Sequence, residues 1–404
     1  MSPVSFSVEN STFEAIVMRK FKLLAVITIF LCVVALTHWI HNGRQSYTEP
    51  SKYTQPNPPN LLENTVDCGL LTQILPNTWL WTTEEERNYP LAFAISAYES
   101  FERLARLLRL IYRKPNIYCI HVDRKATPEF RRRVKHLAKC FGSNLITIPE
   151  ELSVDVNWGY FTVLQTTLLC AEHLLKQQSV DWRYMLNLNE KEFPLRTNWE
   201  LVRALKNLNG SNIVEGMNGT RFKDRIPKKT LSFKFEWVKG SLLVALRREF
   251  VTFMFTNPKA MEILDALKAE KHLKKVQDEL FFSTLAYNPK LGAPGACLSI
   301  PPADSDSEPR FQFLARYANW NDSNCPSGLA VRGVCILGWK DIPVLIKQPH
   351  LFANKFLPTF HPEAYTYMEQ RYVNKVSLEH QYGQLDPGFD ERIFANLYCS
   401  QHHI

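Results

Sequence analysis

From about residue 88 the chain alternates short apolar runs with stretches of helical period. Residues 91–98 (LAFAISAY) form a near-continuous apolar run of strand length. Residues 101–113 then place Leu104, Leu107, Leu108 and Ile111 on one helical face. A second strand is predicted at 117–122, ending in Asp123, followed by a helix at 128–141 and a strand at 145–148. Further along, 163–175 reads as a helix, 184–188 as a strand, 199–208 as a helix, 241–246 as a strand and 257–267 as a helix. Strands alternating with helices predict an α/β, doubly wound fold with a mainly parallel sheet, in which ligands bind beyond the carboxyl ends of the strands. Asp123 stands at such an end, although a turn residue or helix cap would look the same. The chain has no internal repeat and no GxGxxG or GxxxxGK[ST] loop, so the common dinucleotide and P-loop signatures are missing.

Upstream the pattern changes. Residues 23–40 are a nearly unbroken apolar run whose helix would rise about 27 Å, enough for the hydrocarbon core of a bilayer. Arg19, Lys20 and Lys22 precede it, and by the positive-inside rule they keep residues 1–22 cytoplasmic. The run is longer than a signal-peptide core and lacks a small-residue cleavage pattern after it, so it reads as an uncleaved signal-anchor. Residues 41–87 read as a luminal stem. Their first part, 42–66, is rich in Pro, Asn, Ser and Thr and cannot bury enough surface to fold alone. Residues 88–404 are then the luminal body of a single-pass type II protein, the layout of a Golgi-resident processing enzyme.

The formal charge of +8 raises the question of an acidic partner. Its densest run, Arg131, Arg132, Arg133 and Lys135, falls in the amphipathic stretch 128–141. It reads as a solvated helix face, and nucleic acid is not an expected partner. Aromatic residues reach 12%, which suits a sugar-handling cleft and a packed core equally well. Eight of the nine cysteines lie beyond the anchor, an even number in a compartment that permits disulfides. None has zinc spacing. Asn209, Asn218 and Asn321 are glycosylation sequons on the luminal side, whereas Asn10 would be cytoplasmic and bare.

Six blocks together resemble the β-1,6-N-acetylglucosaminyltransferase family, the core 2 and I-branching mucin-type enzymes. They are YCIHVDRK (118–125), FPLRTNWELV (193–202), KGSLLVALRREFV (239–251), QDELFFSTL (277–285), VRGVCILG (331–338) and HLFANKF (350–356). The resemblance spans roughly residues 68–375 and is strongest to the beta-1,3-galactosyl-O-glycosyl-glycoprotein branch. It implies a GT-A-type fold that works without a metal ion or other cofactor. Asp304-Ser305-Asp306 matches the metal-binding DxD pattern, but it lies in a Pro/Ser-rich stretch and reads as an exposed loop.

The resemblance also implies roles. Glu279 matches the catalytic base, which from sequence alone would pass for half of a helix-start acidic pair with Asp278. Arg332 and Lys355 match two cations that support the departing diphosphate in place of a metal. Ser96, Ala97 and Tyr98, with Asp123, Arg124 and Lys125, match the strand ends that hold the uridine nucleotide. Glu215, Lys223 and Arg225 correspond to acceptor-binding residues, and Tyr317 stands for an acceptor-stacking aromatic. The family pairs Cys68 with Cys140, Cys119 with Cys170, and Cys325 with Cys335, leaving Cys297 and Cys399 to pair by elimination.

Two segments depart from the family pattern. LNLNEKEFP (186–194) stands where the family has INLCGMDFP, so Asn189 replaces a Cys, and Glu190, Lys191 and Glu192 follow it. Asp155 replaces a Tyr near the donor, where an unpaired carboxylate would repel a diphosphate. The expected activity is inverting, metal-independent transfer of N-acetylglucosamine from UDP-GlcNAc to a 6-hydroxyl of an O-glycan. A non-catalytic Golgi glycan-binding protein of the same fold, and transfer of another sugar such as xylose, stay open. So does a homodimer.

Overall fold

A computed structural model of the protein describes Cys68 and residues 81–217, 222–301, 313–320, 324–357 and 359–404. The residues expected to form a cytoplasmic tail (1–22), an anchor (23–40) and most of a stem, with Asn218, Asn321 and Asp304–Asp306, lie outside the described residues. Among the described residues no helix is long and apolar enough to cross a membrane.

The core is a five-stranded sheet in the order β3-β2-β1-β4-β6. Helix α1 (Glu84–Asn88) leads into β1 (Leu91–Ala97). Then come α2 (Phe101–Ile111), β2 (Ile117–Val122), α3 (Pro128–Phe141), β3 (Leu145–Thr147), α4 (Phe161–Lys176) and β4 (Tyr184–Asn189). Strands β1 to β4 are parallel. The inner strands β1, β2 and β4 are buried on both faces, as helices covering both sides of a parallel sheet require, and so read as apolar runs rather than alternating ones. Boundaries are set by local chemistry. Thr127 caps α3, accepting a hydrogen bond from Phe130 N–H, and Pro128 occupies its first turn.

Chain direction along the sheet reverses at β1, with β2 on one side and β4 on the other. The crevice beyond the carboxyl ends of β1 and β4 is therefore the topological switch point, where open α/β sheets bind ligands. After β4 the short strand β5 (Glu192–Pro194) leaves the main sheet to join a second one. It is followed by α5 (Asn198–Lys206), β6 (Ala245–Arg247), α6 (Arg248–Thr256), α7 (Pro258–Ala269) and α8 (Phe281–Ala286). Next come β7 (Arg316–Tyr317), the hairpin strands β8 (Ala330–Val331) and β9 (Val334–Cys335), α9 (Ile342–Leu345), β10 (Phe352–Asn354) and the long α10 (Pro362–Tyr382). The second sheet has the order β5-β10-β7.

Two expectations change. The strand expected at 241–246 is reduced to β6, which is antiparallel to β4. Just before it, Leu243 N–H donates to Ser241 Oγ and Val244 N–H to Asn187 Oδ1, so side chains satisfy this backbone in place of a ladder. The basic run in α3 is not a uniformly solvated face. Arg131 is buried, donating to the Asp123 carbonyl at 3.0 Å and pairing with Glu150, and the Arg133 guanidinium lies 4.0 Å from the centre of the Phe101 ring. Arg332 sits at the tip of the β8–β9 hairpin, with left-handed φ of 55° followed by Gly333 at 75°.

Disulfides tie the periphery to this core. Cys119–Cys170 joins β2 to α4, and Cys68–Cys140 fastens residue 68 to α3. Cys325–Cys335 closes the segment bearing Arg332, while Cys297–Cys399 holds the carboxyl-terminal end.

Candidate active site

Glu279 closes a short 3-10 turn, Gln277–Glu279, just before α8. The turn is held from three sides. Val276, in left-handed conformation, donates its N–H to the Gly159 carbonyl at 2.8 Å, and Gly240 N–H and Ser283 Oγ donate to the Glu279 carbonyl at 2.8 and 3.1 Å. Gly240 is required here because a Cβ would lie 1.9 Å from the Glu215 carbonyl oxygen. That close approach brings Glu215 beside the turn and places Lys239 over it. Lys239 Nζ pairs with Glu279 Oε2 at 3.1 Å, and Arg225 donates to the same oxygen. Among the described residues Glu279 Oε1 has no such partner.

Asp278 is buried, and its Oδ1 has no hydrogen-bond partner among the described residues. Burial, and then the neighbouring Glu279 charge, push its carboxyl up to about 7. Two adjacent carboxyls are thus given opposite environments, one dry and one held by two cations.

A cationic rim continues from this turn toward the switch point. Trp158, half exposed, has Lys274 Nζ 4.7 Å and the Arg332 guanidinium 5.4 Å from its ring centroids. Lys355 follows β10. Burial, then the charges of Lys191 and Arg332, press its ammonium below the usual lysine range. Lys191 pairs with Glu99, donates to Tyr98 Oη at 2.7 Å and sits 4.8 Å from that ring's centre.

The residues after β2 reach the same rim. Asp123 Oδ1 accepts from Lys125 N–H at 2.9 Å, and Lys125 Nζ donates to the Val156 carbonyl and to Asn157 Oδ1 at 3.2 Å, steadying the loop that carries Trp158. Arg124 N–H donates to the Val154 carbonyl. Ser96 Oγ donates to Thr166 Oγ1 at 3.0 Å, and Ala97 ends β1. On the other side, Lys223 and Arg225 share a 3-10 turn, but Lys223 is exposed and only Arg225 meets Glu279. Tyr317 lies beside β10, packing edge-on against His350 with centroids 5.5 Å apart.

The departures also have structural accounts. Asn189 Oδ1 accepts from Lys191 N–H, and its Nδ2 donates to Glu192 Oε1, so this residue caps the turn between β4 and β5. Glu192 is buried against Arg316 at 2.8 Å. Glu190 is buried as well, accepts from Glu99 N–H, and is pushed up to about 7 by burial. Asp155 is exposed. Lys239, Lys191, Lys274 and Trp158 had no role on sequence grounds, although Lys239 opens one of the six blocks.

Comparison with known proteins agrees on one family. The Core-2/I-Branching enzyme model matches residues 91–346. Beta-1,3-galactosyl-O-glycosyl-glycoprotein beta-1,6-N-acetylglucosaminyltransferase 4 of Danio rerio is 30% identical over 344 residues, 77% of this chain and 76% of the relative. The N-acetyllactosaminide beta-1,6-N-acetylglucosaminyl-transferase of Mus musculus is 33% identical over 314 residues, 72% of this chain and 74% of the relative. A solved structure of mouse xyloside xylosyltransferase 1, apo form, is 16% identical with a TM-score of 0.28, covering 49% of this chain and 81% of its own, a likeness too weak to bear on the fold.

Proposed function

This chain belongs to the Core-2/I-branching enzyme family, a family of β-1,6-N-acetylglucosaminyltransferases, and on that premise we propose that it moves N-acetylglucosamine from UDP-GlcNAc to a sugar 6-hydroxyl on an O-glycan. The reaction is a single displacement with inversion on a GT-A-type fold. The acceptor hydroxyl oxygen forms a bond to the anomeric carbon as the bond to UDP breaks, and its proton passes to Glu279. Arg225 and Lys239 anchor Oε2, which leaves Oε1 to take that proton. Negative charge growing on the leaving diphosphate is met by Arg332 and Lys355, the two cations that stand in for a metal ion.

The uridine end lies along Ser96–Tyr98 and Asp123–Lys125, at strand ends around the switch point. Glu215, Lys223, Arg225 and Tyr317 line the acceptor side. Because Arg225 touches Glu279, an acceptor that engages Arg225 would align its hydroxyl with the base at the same moment. The protein acts from a type II anchor in the Golgi lumen, with Asn209, exposed just after α5, one of its glycan sites.

The observation that carries this reading is the carboxylate of Glu279, held by two cations beside a rim containing Arg332 and Lys355. The test is transfer of radiolabelled sugar from UDP-GlcNAc to a Galβ1-3GalNAc acceptor in the presence of EDTA. Wild type turns over, and Glu279→Gln loses on the order of 100-fold or more. Turnover unchanged in that variant removes Glu279 as the base. UDP binding with no turnover on any branched-glycan acceptor would point to a glycan-binding protein of this fold.

A further inference from the structure

Strands β5 and β10 pair antiparallel, with Phe352 opposite Pro194, Ala353 opposite Phe193 and Asn354 opposite Glu192. Just beyond this ladder Phe356 N–H donates to the Lys191 carbonyl at 2.9 Å, which brings Lys355 and Lys191 near one another. Like charges held close together repel. Here they stand at the switch-point end of the main sheet, and the charges of both Lys191 and Arg332 act on Lys355. Three cations gathered at one place are stable when an anion is shared among them. In the structure Glu99 serves as a partial substitute, since its carboxylate, 55% exposed, pairs with Lys191 while the lysine side chain is 13% exposed. Tyr98 supplies a hydroxyl and a ring face to the same ammonium.

We infer that Lys191 is a third diphosphate-binding cation of this protein, stored on Glu99 and Tyr98 and transferred to the phosphate oxygens when the nucleotide enters. The inference rests on the reading of this site as a nucleotide-sugar donor site. It goes beyond that reading, which assigns the diphosphate to Arg332 and Lys355 alone. The exchange needs no bond made or broken. Glu99 is exposed and is readily hydrated once released, whereas a doubly charged diphosphate offers Lys191 a stronger partner than one carboxylate in water.

The experiment is titration calorimetry on the full chain in detergent, with UDP and uridine as the probes, comparing wild type with Lys191→Met, Lys191→Arg and Arg332→Ala. Lys191→Met is expected to weaken UDP by about tenfold, the size of one charge-assisted contact, while leaving uridine binding within twofold. Lys191→Arg retains UDP affinity within about threefold, since the charge is kept. Equal UDP affinity in Lys191→Met and wild type, with Arg332→Ala weakened, overturns the third cation and leaves the donor-site reading standing. UDP affinity unaffected by Arg332→Ala and Lys191→Met alike, or no UDP bound by wild type, overturns both. A loss of UDP and uridine together in Lys191→Met marks a structural role and also overturns the inference.

Discussion

Arg225 reaches Glu279 Oε2 from a turn 54 residues earlier in the chain, and Lys239 closes on the same oxygen at 3.1 Å. The two cations do different work. Lys239 comes from a segment locked by Met217 N–H donating to its carbonyl at 2.7 Å, so it is a fixed prop. Arg225 sits on a short turn at the surface, beside exposed Lys223, which suits the acceptor-side role proposed for it.

Arg225→Gln should therefore injure the acceptor side selectively. The apparent KM for the glycan acceptor rises, and kcat/KM for it falls by about ten- to a hundredfold, the worth of one or two hydrogen bonds to a charged group. The KM for UDP-GlcNAc stays near the wild-type value. Steady-state kinetics with each substrate varied in turn measure this, and an equal loss on the donor side would contradict it.

Arg332 holds left-handed backbone at a two-residue hairpin tip, followed by Gly333, the pairing of positive φ values that favours Asn-Gly. Arg332→Asn removes the guanidinium while suiting the turn better. Thermal stability should hold or rise slightly, while UDP affinity drops by about tenfold. A melting curve and a UDP titration on the same preparation separate fold from site. A fall in both would mean that Arg332 is chiefly structural.

Glu192 and Arg316 are an ion pair with no water access, at 2.8 Å. Burial outweighs the pairing on both sides, raising the carboxyl and lowering the guanidinium from their ordinary values. Arg316→Met strands a buried carboxylate and should cost about 3–5 kcal/mol. Glu192→Gln added to it restores part of that, because an amide carries no charge to strand. Denaturant unfolding of the single and double variants tests the order. A double variant weaker than Arg316→Met would be the contrary result.

Another buried acidic group belongs to the inner face of α10. Burial, then the Glu200 charge, push the Glu379 carboxyl up to about 8, with Thr197 Oγ1 donating to it at 2.9 Å and Lys375 bound to Glu200 at 2.6 Å. The folded state keeps this proton up to about pH 8, whereas the unfolded chain releases it in the ordinary carboxylate range. Stability from this group therefore falls as pH rises between those limits. Melting temperature should decline from pH 6 to pH 8.5, and Glu379→Gln should flatten that decline. Glu190 and Asp278, both pushed up to about 7, contribute to the same slope and leave part of it in place. An unchanged slope in Glu379→Gln would refute the assignment.

Local pattern was enough for the strand at 117–122 and the helix at 128–141, because side-chain period and a Thr-Pro cap are properties of neighbouring residues. It was enough also to expect a parallel sheet and to single out Asp123 at a strand end. Periodicity could not say that Arg131 is buried, because that depends on Glu150 and the Asp123 carbonyl arriving beside it. Nor could it shorten 241–246 to β6, since the competing acceptor is the side chain of Asn187 on another strand.

The site divides in the same way. Glu279, Arg332 and Lys355 could be singled out as candidates because they sit in recognisable blocks. Lys239, Lys191 and Trp158 were not, because one Lys among 48 basic residues carries no mark of its partner. Ion pairs form between groups that the chain path brings within a few ångströms, and that path is set by packing of the whole sheet. The amino-acid order alone therefore specifies an α/β body with its lysines and carboxylates, and folding in three dimensions selects which lysine meets which carboxylate.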